Sequence, residues 1–162
     1  MIERTMRHLR RLDGTWTGKG AGDYPTIDPF GWTETLRFEL DDSYPMLHYE
    51  QRTHLVPSGE ASHWESGFIR PLEDGSIEIS SSQDSGRVEV LRGRLKGIED
   101  GGGDWSIELD SVVLEHDPRL QATRRVFTLS GDTLLYVVSM ATHTTPEPRL
   151  SQHLEARLRR SS

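Results

Sequence analysis

Hydrophobic positions open the chain at spacings of four and three, with Ile2, Met6, Leu9 and Leu12 on one face. That spacing predicts a short N-terminal helix, and Gly14 ends it. Beyond Gly14 the period falls to two. Trp32, Leu36, Phe38 and Leu40 share one face of a strand, with Thr33, Thr35, Arg37 and Glu39 on the other. Leu47 and Tyr49 alternate with Met46, His48 and Glu50. Trp105, Ile107, Leu109 and Val113 alternate with Ser106, Glu108 and Asp110, which predicts a half-buried strand with Val113 on the apolar side. Further strands are expected at Thr15–Tyr24, Ser62–Arg70, Ser76–Ser82, Arg87–Leu95, Gln121–Leu129, Thr133–Met140 and Ser151–Arg159.

Turn chemistry separates these runs: Asp41-Asp42-Ser43, Pro57-Ser58-Gly59, Glu73-Asp74-Gly75, Asp84-Ser85-Gly86, Asp100 through Gly103, and Ser130-Gly131-Asp132. Such short gaps join neighbouring strands as antiparallel hairpins. Thr142 to Arg149, with Pro146 and Pro148, reads as a loop before the last strand. About ten strands with almost no helix define an all-β sandwich or an up-and-down antiparallel barrel. A ten-stranded barrel is wider than an eight-stranded one, whose side chains fill it, so it keeps a ligand cavity. The 162 residues are expected to form a single domain, 1–162, with no internal repeat.

Charge and composition narrow the function classes. Lys+Arg 19 against Asp+Glu 26 leaves a net charge of −7, which opposes non-specific nucleic-acid binding and an anionic membrane surface. With no cysteine, disulfides, thiolate catalysis and Fe–S clusters are excluded. No apolar run approaches the roughly 20 residues that span a bilayer. The start MIERTMRHLRR has no apolar segment of the secretory type, so a cytoplasmic protein is the expectation.

Candidate chemistry then rests on seven histidines, the carboxylates and the hydroxyls. The sequence carries no nucleophile elbow, P-loop or dinucleotide fingerprint. Gly14-Thr15-Trp16-Thr17-Gly18-Lys19-Gly20 opens a strand, so its glycines read as close packing or a bulge where a barrel closes. His63 alternates with Glu65 and shares its face, either as an acid–base pair or as a hydrogen-bonded strand surface. Leu154, Ala156 and Leu158 form the apolar face of the last strand. Alternation alone therefore turns His153 outward with Glu155 and Arg157.

Taken together, these motifs resemble the nitrobindin family of heme-binding β-barrels. Gly14, Trp16, Gly18 and Gly20 match its Gly-x-Trp-x-Gly-x-Gly signature. Tyr24-Pro25-Thr26-Ile27-Asp28-Pro29-Phe30 follows, then Tyr49-Glu50-Gln51-Arg52-Thr53 and the segment from His63 through Glu65-Ser66-Gly67-Phe68-Ile69-Arg70. Ser139-Met140-Ala141-Thr142 leads to Gln152-His153-Leu154. The ordered set runs from residue 12 to residue 159.

The resemblance implies a ten-stranded antiparallel barrel, preceded by the short helix, that holds one heme b. It implies that His153 is the axial iron ligand and that Thr26, His63 and Met140 line the pocket, His63 on the opposite side of the heme. The implied activity is conversion of peroxynitrite to nitrate at ferric heme, with nitric oxide binding, by a monomer or homodimer; no side-chain acid or base is required. The segment from Met140 to His153 is longer than in other members and carries His143. The lysine that some members place before Arg124-Arg125 to meet the heme is missing; the segment has only His116, Arg119 and those two arginines, and no propionate partner is assigned. Two other readings compete. One is a non-catalytic carrier of an apolar molecule such as a fatty acid, with Arg125 and Tyr136 holding its carboxylate. The other is a module that binds only a protein partner, against which the sequence shows no exposed apolar stripe.

Overall fold

The computed structural model describes residues 1–98 and 103–162. A helix, α1 (Ile2–Leu9), runs into a 3₁₀ turn at Arg10–Leu12. Its apolar face is the one the spacing predicts: Met6, Leu9 and Leu12 are buried. Gly14 then turns the chain with φ +120, a backbone region open to glycine at little steric cost.

Ten strands follow: β1 (Gly14–Tyr24), β2 (Ile27–Leu40), β3 (Leu47–Val56), β4 (Ala61–Pro71), β5 (Ile77–Gln83), β6 (Val88–Lys96), β7 (Trp105–Glu115), β8 (Leu120–Ser130), β9 (Thr133–Thr142) and β10 (Ser151–Arg160). Each pairs antiparallel with the next, and β10 returns to β1, closing the barrel. Closure leaves no edge strand. The turn expected at Asp100 through Gly103 lies outside the described residues except for Gly103. No described helix is long and apolar enough to cross a membrane.

The glycine signature sits at the closure. A Cβ on Gly18 would overlap the Arg157 carbonyl of β10, and one on Gly20 would overlap the Trp32 ring. These glycines let β10 and Trp32 approach β1 closely, as their place in the strand suggested. Trp16 is fully buried and donates its indole N–H to the Leu12 carbonyl at 2.8 Å. With Met6, Leu9, Trp105 and Leu129 it belongs to the apolar core that fills the helix end.

Two bulges change the expected alternation. In β7, Val90 of β6 faces Val113 while Leu91 faces Ser111, so Val112 is an extra residue. An extra residue reverses the facing of everything beyond it. Val113 is therefore on the outer wall, 42% exposed, which corrects the assignment from period two. In β10, Gln152 faces Ser139 and Leu154 faces Val138, so His153 is the extra residue. The outer wall also carries exposed Trp64, Phe68, Val88 and Val112.

Candidate functional site

The helix and its core close one end of the barrel; the other end opens into a cavity of about 380 Å³. Phe30, Trp32, Leu36, Phe38, Phe127, Val138 and Leu154 supply apolar lining. Thr26, His63, Met140 and His153, far apart in sequence, all line this one cavity. Thr26 lies in the two-residue turn between β1 and β2, and Met140 lies opposite Ser151 in the β9–β10 ladder. The Tyr24 hydroxyl and Thr142 Oγ1, 3.0 Å apart, tie the end of β1 to the end of β9.

Alternation along β10 turns His153 outward, and the bulge overturns that reading. His153 and its neighbour Leu154 both line the cavity. A second irregularity, between Gly22 and Tyr24 of β1, frees Asp23 beside it. His153 Nδ1 lies 3.0 Å from the Asp23 carbonyl oxygen. A carbonyl only accepts, so Nδ1 carries the proton and Nε2 keeps the lone pair. Tyr24 packs edge-on against the ring at 5.5 Å between centroids and steadies its plane.

His63 stands on β4, four strands from β10 one way round the barrel and six the other. Its Nε2 bonds Glu65 Oε2 at 2.8 Å. Glu65 is buried and also accepts from the Tyr49 hydroxyl at 2.8 Å and Arg125 at 2.6 Å. Burial would raise the Glu65 carboxyl, but the Arg125 charge and the His63 and Arg125 hydrogen bonds hold it well below the usual carboxylate range. Arg125 reaches Glu89 at 3.0 Å as well. Arg87 joins Glu89 to Asp117, and Arg119 at the mouth also grips Asp117. A second polar group surrounds Glu34, which accepts from Trp32 at 2.9 Å, Gln51 at 2.7 Å and the Tyr136 hydroxyl. Burial pushes the Glu34 carboxyl up, more than the hydrogen bonds from Trp32, Tyr136 and Gln51 bring it down.

These networks bear on the carrier reading. The Arg125 charge is matched by two buried carboxylates, with only its Nε left unpartnered, and the Tyr136 hydroxyl donates to a third carboxylate, so three anionic groups already stand where a fatty-acid head group would have to sit. Arg124 faces outward onto Asp110. His143 is exposed, and the cavity lining does not include it. Glu34, Glu89 and Asp117 were not singled out from sequence. The signal was present for Glu34, because period two puts it on the same face as Trp32 and Leu36.

Among the described residues no three His, Cys, Asp or Glu side chains gather as a metal site. The cavity instead presents His153 Nε2, with its lone pair free, within largely apolar walls. That donor set suits a metal that brings its own equatorial ligands in a flat apolar macrocycle. Fold and cavity thus define a closed β-barrel with a histidine-bearing interior site. Residues 5–160 match the family described as a THAP4-like, heme-binding β-barrel domain. A protein of Arabidopsis thaliana named peroxynitrite isomerase Rv2717c is 40% identical over 148 residues, covering 91% of this chain and 84% of its own. Peroxynitrite isomerase 1 of Rhodococcus jostii is 37% identical, covering 94% and 82%. The crystal structure of Rv2717c from M. tuberculosis superposes with a TM-score of 0.86 at 31% identity, covering 98% of both chains. The chain belongs to this heme-binding barrel family, the nitrobindins.

Proposed function

We propose that the chain is a peroxynitrite isomerase that holds one heme b through His153 Nε2 and also binds nitric oxide. The observation that carries the ligand assignment is the β10 bulge. It turns His153 into the cavity while the Asp23 carbonyl accepts the Nδ1–H hydrogen bond, leaving the Nε2 lone pair for iron. Bound ferric heme supplies the Lewis acidity and redox reach for rearranging peroxynitrite to nitrate.

The chain's own residues do the rest. Phe30, Trp32, Phe127 and Leu154 give the apolar walls that exclude water. Glu65, anchored by Arg125 and Tyr49, occupies His63 Nε2 and holds that ring on its own wall, so His63 is a pocket residue and not a second ligand. Arg87 and Arg119 are the cations at the mouth within reach of anionic groups there. The family membership and the names of the relatives support the cofactor and the reaction.

The deciding test is hemin titration of wild type and His153→Ala, followed by the Soret band. Wild type takes one equivalent tightly and His153→Ala does not. Unchanged affinity and spectrum in His153→Ala would place the ligand elsewhere.

A further inference from the structure

The charged floor does not end the cavity. On three strands the inward series passes from a charged side chain to apolar ones toward the helix end: Glu34 then Leu36 and Phe38 on β2, Glu65 then Ile69 on β4, Arg125 then Phe127 on β8. All of these line the cavity that opens at the mouth, as does Ile79, which faces Ile69 in the β4–β5 ladder. His153 stands at the mouth end, its ring 6.3 Å from that of Phe30. From Phe30 to Phe38 along a strand tilted by about 40°, at about 3.3 Å per residue, the depth gained is roughly 20 Å. Ile77 and Leu91, behind this lining, keep no accessible surface, whereas Leu36 and Ile69 keep 3% each and Phe127 is only half-buried. Those side chains point into the barrel, so the surface they keep faces the cavity.

We infer that this deep apolar chamber is a docking site for a small neutral gas molecule, nitric oxide in the function proposed above, on which that choice of gas rests. The floor selects by charge. Glu65 and Glu89 already match Arg125, and Glu34 stands beside them. An anion such as peroxynitrite or nitrate would shed its hydration to pass and find no free cation in return, whereas a neutral diatomic sheds almost none.

Water competes poorly below the floor. A buried water needs about two to four polar partners. The Tyr49 and Tyr136 hydroxyls beside the chamber already donate to Glu65 and Glu34, and the walls beyond them are hydrocarbon. Apolar cavities of that kind stay dry and admit xenon. On the mouth side the reverse holds: Thr123 precedes Arg125 on β8, and its Oγ1 is buried with no protein partner. Gas that leaves the mouth half of the cavity is thus retained inside the barrel, and its return competes with escape to solvent.

Xenon, an inert and apolar probe, tests the chamber on the heme-free protein. Under xenon pressure the methyl resonances of Leu36, Ile69 and Ile79 should shift saturably, while those of exposed Val88 and Val112 follow only the linear solvent trend. Ile69→Phe and Ile79→Phe each fill the chamber and should weaken saturable binding at least about tenfold, whereas Leu36→Met roughly conserves volume and should retain it. Circular dichroism checks the fold of each, and either filled variant suffices. In the heme-loaded protein, flash photolysis of bound nitric oxide should show a slow geminate phase that shrinks at least about twofold in the filled variants. A purely linear xenon response in wild type, or saturable binding that survives both fillings, overturns the chamber. Saturable xenon binding with an unaltered geminate phase overturns its use for nitric oxide. The xenon arm needs no heme, so a failure of hemin uptake is read separately, against the function proposed above.

Discussion

Arg125→Met is the sharpest test of how the cavity floor is held. Arg125 lies between Glu65 at 2.6 Å and Glu89 at 3.0 Å, with side-chain exposures of 9%, 3% and 1%. Methionine roughly conserves the stem and removes the charge, leaving two buried carboxylates facing an apolar side chain. Breaking a buried pair in this way costs about 3–5 kcal/mol, against about 5–15 kcal/mol for a whole domain. At about 2–4 °C per kcal/mol the melting temperature should fall by roughly 6–20 °C near neutral pH. The pH dependence follows from the sign of the Glu65 shift. Its carboxyl is depressed in the folded wild type. That contribution is present above the unfolded pKa of about 4.3 and is lost as pH falls through the folded value. Without Arg125 the largest opposing influence is gone, burial is opposed mainly by the His63 hydrogen bond, and the carboxyl should rise above its unfolded value. Stability in the variant is then present below the unfolded pKa and lost as pH rises through the folded one. The gap between wild type and variant should therefore narrow below about pH 4.3, and Arg125→Met/Glu65→Gln/Glu89→Gln should recover most of the loss at neutral pH. Urea unfolding from pH 3 to 8 measures both. A neutral-pH loss under about 1 kcal/mol, or a gap that widens in acid, would refute the view that these charges are held by one another.

His63→Leu should keep heme affinity and alter mainly the kinetics of nitric oxide or substrate, because Glu65 already occupies its Nε2; a six-coordinate bis-histidine ferric spectrum that becomes five-coordinate in the variant would contradict this. Peroxynitrite decay by the ferric protein should quicken as salt is added, since a net charge of −7 repels an anion and screening relieves the repulsion. Stopped-flow decay with nitrate and nitrite analysis, against His153→Ala with matched hemin, reads that rate; no gain in decay or nitrate over the control would leave heme binding without isomerisation.

Local patterning was enough for the elements of this protein. The spacing of Ile2, Met6, Leu9 and Leu12 defines the helix, because burial on one helical face needs that period. Period-two alternation and short turns gave ten antiparallel strands, and the glycines from Gly14 to Gly20 marked the seam. Tertiary structure decided where side chains point once the ladder slips. Facing along a strand is a parity, and one extra residue reverses it. Alternation therefore misplaced both Val113 and His153, and only pairing with β6 and β9 corrected them. The polar floor was hidden for a related reason. His63 and Glu65 are two residues apart and readable as a pair. Arg125 is 60 positions from Glu65 and 36 from Glu89, and closure of the barrel is what brings their charges within reach.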